Sequence, residues 1–147
     1  MSVQTSKKLL KIFGVVDIIM GVLVLLCSVL ALAGGGLMAS GVVPFDEAEA
    51  GVSTTFVFVA GGAMLLMGAF SVAEGILSCR AANDPSKAQP AFVFAVISLV
   101  LAVLNLAYAL VGGGSPASAV VSVVIDVLLV LAANTLRKGR TDEVLAA

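Results

Sequence analysis

The sequence predicts an all-α integral membrane protein, a bundle of four transmembrane helices with both termini in the cytoplasm. Its 147 residues are 61% hydrophobic, well above the roughly half apolar content of soluble domains. Four apolar runs reach or approach the ~20 residues that cross a bilayer. Cytoplasmic loops hold the excess of Lys and Arg. All eight basic residues lie before the first run, between the second and third, or after the fourth: Lys7, Lys8, Lys11, Arg80, Lys87, Arg137, Lys138 and Arg140.

We expect a single transmembrane domain over residues 1–147, made of two successive helical hairpins. The apolar runs predict helices over about 9–33, 54–79, 91–111 and 118–136. The segments between them are the outer loops 34–53 and 112–117, the cytoplasmic loop 80–90 and the cytoplasmic tail 137–147.

The first helix is expected to end at Ala33, because three glycines follow it. A signal peptide is the competing interpretation, since basic residues precede the run and Ala31-Leu32-Ala33 fits the small-residue cleavage pattern. The apolar run, however, exceeds the roughly 7 to 15 residues of a signal peptide and contains Asp17. We therefore expect this helix to remain in the mature protein.

The loops carry residues that favour turns. Pro44 would begin one helical turn on the membrane surface within the acidic outer loop. Pro90 closes the cytoplasmic loop and suits the first turn of the third helix. Residues 112–117 fit a tight outer turn, and the tail from Thr141 to Ala147 is expected to be too short to fold.

The composition argues against most catalytic chemistries. The chain has no His and two Cys, so zinc, haem and His-paired nucleophiles lack their ligands or bases. Cys27 should lie near the outer side and Cys79 near the cytoplasmic side, too far apart for a disulfide. The net charge of −1 and the scattered basic residues indicate no nucleic-acid partner. We predict no enzyme activity and no cofactor.

Four embedded polar residues, one in each predicted helix, form the candidate intramembrane ion site: Asp17, Glu74, Asn105 and Asp126. A carboxylate at the centre of a membrane helix costs roughly 2.5 to 3.5 kcal/mol, so it usually faces a bundle interior or a wet cavity. Counting inward at ~1.5 Å per residue puts Asp17 and Glu74 at one level near the cytoplasm. Asn105 and Asp126 share a level nearer the outside.

These two pairs predict different chemistry. Two negative charges at Asp17 and Glu74 would not both persist in a dry interior, so this pair would share a proton or hold a cation. Snorkelling to the headgroups, or contact with nearby basic residues, is the alternative for both. The Asn105 amide would donate to the Asp126 carboxylate as a structural clasp.

Each predicted helix also carries one stripe of small and polar residues. Steps of three and four residues align Asp17 with glycines on helix one and Glu74 with serines on helix two. Asn105 and Asp126 lie on similar stripes. We expect these stripes to face inward, because small residues let helices approach closely. The glycines expected at helix contacts are Gly14, Gly21, Gly61, Gly68 and Gly75.

Two classes of function remain open. The first is a noncatalytic component of the cell membrane, a scaffold or accessory subunit that packs in a homo-oligomer or against another membrane protein. The second is a small transporter of protons, metal cations or cationic amphiphiles, with Asp126 as its central site. Embedded carboxylates without embedded basic residues fit cations. We favour the first class, because the loops are short and no catalytic set accompanies the helices.

Overall fold

The structure is a computed structural model, and it describes residues 2–42, 52–111 and 116–145. A short 3-10 turn, Pro85–Lys87, links the second and third helices. The four α-helices of the described chain are α1 (Val3–Ala39), α2 (Thr54–Asn83), α3 (Ala88–Val111) and α4 (Pro116–Leu145). Each α-helix contains a stretch that is long and apolar enough to cross a membrane. The predicted all-α class and the four membrane-spanning helices are thus confirmed, whereas the cytoplasmic position of the termini stays a prediction.

Capping side chains fix where the helices begin. The Ser2 hydroxyl accepts a hydrogen bond from the backbone N–H of Thr5 at 3.2 Å, and Ser53 does the same for Phe56 at 3.1 Å. Each hydroxyl satisfies one of the first N–H groups of a helix, which have no partner within the helix itself. Pro116 starts α4, where its missing N–H removes no helical hydrogen bond.

All four helices run further than the sequence predicts, α2 to Asn83 and α3 from Ala88, and the largest extensions are in α1 and α4. α1 continues through the glycines at 34–36, and Gly41 just beyond its end has a φ of 72°, the left-handed conformation common after a helix. α4 continues to Leu145 and includes most of the tail that the sequence predicts to be unfolded. Extending an existing helix needs no new nucleus, so the helix can continue through glycines and through a short polar tail. The predicted turn at Pro44 and residues 112–115 of the outer turn lie outside the described residues.

The chain forms two compact units. Unit 1 consists of Met1–Val16 and Glu74–Ala147, and unit 2 consists of Asp17–Ala73. Unit 1 therefore holds the start of α1, the end of α2 and all of α3 and α4. Unit 2 holds the remainder of the first two helices.

An alanine-rich core holds unit 1 together. The start of α1 contributes Leu10 and α4 contributes Leu136, each 1% exposed. Small side chains let helix backbones approach closely, and packing of this kind drives helix association in membranes. The alanines of this core come from α2, α3 and α4: Ala81, Ala82, Ala88, Ala91, Ala132 and Ala133. Parts of all four helices thus meet in unit 1.

Glycines let α1 and α2 approach each other in unit 2. A methyl group at Gly21 would lie 2.8 Å from the backbone nitrogen of Val72, and one at Gly68 would lie 3.0 Å from the Gly21 carbonyl oxygen. A methyl group at Gly61 would lie 2.9 Å from Leu32 Cδ2. The backbones of α1 and α2 therefore approach each other at glycines, which have no side chain. The five glycines that the sequence predicts at helix contacts are all buried: Gly14, Gly21, Gly61, Gly68 and Gly75.

Many large apolar side chains of the spans are exposed, such as Leu30 at 72% and Leu66 at 71%. Soluble monomers rarely expose contiguous apolar surface of this extent. In a bilayer the same side chains contact lipid tails, so their exposure agrees with the membrane-spanning assignment.

Candidate functional site

A buried carboxyl group lies in unit 1, within the second membrane-spanning helix. Glu74 of α2 is 6% exposed, and Ser78, one turn further along, is 1% exposed. The Ser98 hydroxyl of α3 donates a hydrogen bond to Glu74 Oε2. We call these three residues the Glu74 site. Because hydrogen bonds are stronger in low-dielectric surroundings than in water, this one ties α3 to α2.

The spacing of residues on α2 positions the Glu74 site. Glu74 and Ser78 are four residues apart and share one helix face. Gly75, the next residue after Glu74, lies against α1. A methyl group at Gly14 would be 2.8 Å from the Gly75 carbonyl oxygen and 2.9 Å from Cys79 Sγ. α1 and α2 are therefore in close contact at Gly14 and Gly75. The Glu74 side chain therefore lies inside unit 1, and its depth relative to the headgroups stays a prediction.

Asp17 belongs to unit 2, where its side chain is half-buried. It lies three residues after Gly14 and four residues before Gly21, both of which are buried. The aspartate is therefore on the glycine face of α1, as the spacing predicts. Glu74 belongs to the other unit, so the pairing of these two carboxyl groups stays a prediction.

The predicted clasp between Asn105 and Asp126 is wrong. Among the side chains that the structure describes, no hydrogen bond joins the Asn105 amide and the Asp126 carboxylate. Asp126 is half-buried, but Asn105 is exposed. The buried residues of α3 are Ala88, Ala91 and Ala95, all in its first third. Equal depth therefore does not bring the two residues together, because α3 is not buried at the level of Asn105.

Arg137 has a packing role that the sequence analysis misses, since it treats this residue only as a topology signal. Its guanidinium lies 4.3 Å from the centroid of the Phe92 ring. Its Nη2 donates a hydrogen bond to Asn134 Oδ1 at 3.3 Å. The spacing of three residues between Asn134 and Arg137 is the signal that would have revealed the second contact.

Asp84 lies between the second and third spans and caps the 3-10 turn. The Ser86 backbone N–H donates to Asp84 Oδ1 at 3.0 Å, and Lys87 Nζ lies 3.5 Å from Asp84 Oδ2. Hydrogen bonds from the Ser86 side chain and backbone, with a smaller contribution from the Lys87 ammonium, lower the pKa of the Asp84 carboxyl. This carboxylate stabilises the 3-10 turn between α2 and α3 and is partly exposed to solvent. It is not part of the Glu74 site.

Four helices long and apolar enough to span a membrane, within the part of the chain that the structure describes, define a small multi-pass membrane protein. Within the described residues, no three His, Cys, Asp or Glu side chains are placed to hold a metal ion together. No protein family, curated protein or solved structure matches the chain. The features of the chain that bear on its function are therefore the Glu74 site and the polar residues exposed within the spans.

Proposed function

We propose that this protein is a noncatalytic component of the cell membrane that acts by helix association, as a scaffold or accessory subunit. Its partner is a copy of itself or another membrane protein. The observation that carries the proposal is the exposure of Asn105 within the third span. Short connections such as Pro85–Lys87 support it, because they leave the helices as the main surface for interaction.

The energetics of an amide in lipid explain why Asn105 indicates association. This residue precedes the end of α3 at Val111 by six residues, about 9 Å along the helix axis. An amide transferred to hydrocarbon without a hydrogen-bond partner costs about 4 to 8 kcal/mol. Lipid tails offer no donor or acceptor, whereas a polar side chain on another helix does. Association through the outer half of α3 therefore removes an unfavourable contact.

Native mass spectrometry of the protein extracted in membrane nanodiscs tests this proposal. We expect the wild type in a complex, either with itself or with another membrane protein, and a clearly smaller fraction of that complex for Asn105→Leu. Ser122→Ala is the matched control, because the Ser122 hydroxyl is exposed in a span but donates to its own helix at Ser118 O, 3.2 Å away. A wild type that is monomeric at its native membrane density would overturn the proposal.

Cation transport is the second candidate, and the burial of Glu74 favours it. A carboxyl group 6% exposed inside a membrane protein is expensive to maintain and is a functional candidate by default. With the Ser78 and Ser98 hydroxyls nearby, the site presents oxygen atoms, which are the ligands that small hard cations prefer. Asp126, half-buried in α4, would be a further carboxylate on the route.

Proteoliposomes containing the purified protein test transport under proton, sodium and lipophilic-cation gradients. Transport predicts charge movement in the wild type and its loss in well-folded Glu74→Gln and Asp126→Asn proteins. Asp84→Asn is the control, because this carboxylate lies outside the spans and should leave the flux unchanged. Silence of the wild type under all three gradients would exclude these cations as substrates.

A further inference from the structure

We propose that the outer half of α3 forms a two-fold, parallel interface with a second copy of this chain, through Leu101, Asn105 and Tyr108. These three residues are called the α3 face. The proposal deepens the association function given above and rests on it. It commits to one partner, the same protein, and to one surface.

Helical spacing and exposure define the α3 face. Steps of four and three residues place Leu101, Asn105 and Tyr108 on one stripe of the helix. Leu101 is 53% exposed, Tyr108 is 78% exposed, and Asn105 is also exposed. Within unit 1, α3 is buried through alanines at its start, from Ala88 to Ala95. The packing of unit 1 therefore leaves this stripe open along the outer half of the helix.

The spacing is that of a helix-pairing seam. Apolar residues repeating at alternate steps of three and four residues allow two helices to pack side by side. In such a seam Leu101 and Tyr108 occupy equivalent positions, and Asn105 occupies the alternate position between them. In coiled coils, a single asparagine at one such seam position specifies the register and the oligomeric state. The sequence of the α3 face therefore encodes a pairing register as well as a surface.

The amide of Asn105 points to a second copy and not to an unrelated protein. An asparagine side chain has donors and an acceptor, so two of them related by a two-fold axis satisfy each other. Every copy inserts with the same orientation, because the distribution of basic residues is the same. The axis along the membrane normal then brings both Asn105 amides to one depth. An unrelated partner would need its own polar group at that depth, whereas a second copy always has one.

Disulfide crosslinking in native membranes tests this interface. The background carries Cys27→Ala and Cys79→Ala, which remove both native thiols. Leu101→Cys and Tyr108→Cys place a thiol on the α3 face. Val103→Cys and Leu110→Cys are depth-matched controls on the opposite side of the helix, at positions 49% and 65% exposed. Circular dichroism and gel filtration of each variant establish that it folds.

We expect oxidation to give a crosslinked dimer in each of the two variants with a thiol on the α3 face. Neither of the two control variants should give this dimer. Added to Leu101→Cys, the substitution Asn105→Leu should lower the association constant about three- to tenfold. Asn105→Gln keeps donors and an acceptor, so it should retain more of the dimer than Asn105→Leu.

The outcomes separate this inference from the association function. Equal crosslinking at all four positions would mean random collision, and it would overturn the two-fold interface. No crosslinking on the α3 face, together with a complex in native mass spectrometry, would overturn the interface and leave association standing. A monomer in both experiments would overturn both proposals.

Discussion

Replacing Gly21 by alanine should weaken the contact between α1 and α2 in unit 2. The added methyl group would lie 2.8 Å from the Val72 backbone nitrogen, 2.8 Å from Val72 Cγ2 and 2.9 Å from the Gly68 carbonyl oxygen. Two of these three atoms belong to the backbone, so a change of side-chain rotamer does not relieve the clash. The helices must move apart, and overpacking of this kind costs about 1 to 3 kcal/mol.

Gly62→Ala is the matched control for Gly21→Ala. Both glycines lie inside helices of unit 2, but no described atom outside its own helix lies within 4 Å of a methyl group at Gly62. Both substitutions gain the same helix propensity, about 1 kcal/mol relative to glycine, so this gain cancels between them. The free energy of unfolding should therefore be lower in Gly21→Ala than in Gly62→Ala by about 1 to 3 kcal/mol.

Unfolding of the purified proteins in mixed micelles by increasing SDS, followed by circular dichroism, measures this difference. The wild type provides the reference for both variants. Equal free energies of unfolding for Gly21→Ala and Gly62→Ala would refute the close helix contact at Gly21.

Three further predictions concern contacts within unit 1 and the 3-10 turn between α2 and α3. Ser98→Ala should lower the free energy of unfolding by about 1 to 3 kcal/mol, because Glu74 loses a hydroxyl donor. Ser98→Thr keeps a hydroxyl, so equal destabilisation of this variant would mean that the hydrogen bond is not the cause. The Asp84 carboxyl should titrate by NMR below its ordinary pKa of 3.8, so its stabilisation of the 3-10 turn is complete above pH 3.8 and lost as the pH falls through the folded value; a midpoint at or above 3.8 contradicts this. Arg137→Ala should lower the free energy of unfolding by about 0.5 to 2 kcal/mol, because the contact with the Phe92 ring is lost. Lys138 is exposed, so Lys138→Ala should change it by less than about 0.5 kcal/mol. Thermal unfolding measures both, and equal effects would contradict the ring contact.

Most of the fold follows from the sequence because a bilayer imposes a strong constraint. A spanning segment must satisfy its own backbone hydrogen bonds, so long apolar runs become helices. Hydropathy predicts four spans and the start of α2 at Thr54, and it places the start of α3 at about 91, three residues after the observed Ala88. The lengths of α1 and α4 are the most underestimated, because hydropathy marks the apolar part of a helix and not its extension into polar sequence.

The candidate site is less predictable from spacing alone. The stripes on the first two helices identify residues that are buried, including Glu74 and Gly21. Asn105 is exposed although it lies on such a stripe, since periodicity gives the face of a helix but not how far along that face a neighbour packs. The contact between Arg137 and Phe92 joins residues on two different helices, α4 and α3, and spacing within one helix carries no information about such contacts.

The sequence by itself determined the class of this protein, its four spans and the residues that would be costly in lipid, because these properties depend on the transfer of side chains into hydrocarbon. The tertiary structure decided which of those residues are buried. It enclosed Glu74 with Ser98 in unit 1 and left Asn105 exposed on α3. The physical reason is that burial in a membrane protein depends on close approach of helices at small residues, and the location of each approach is set by helix pairing across the chain.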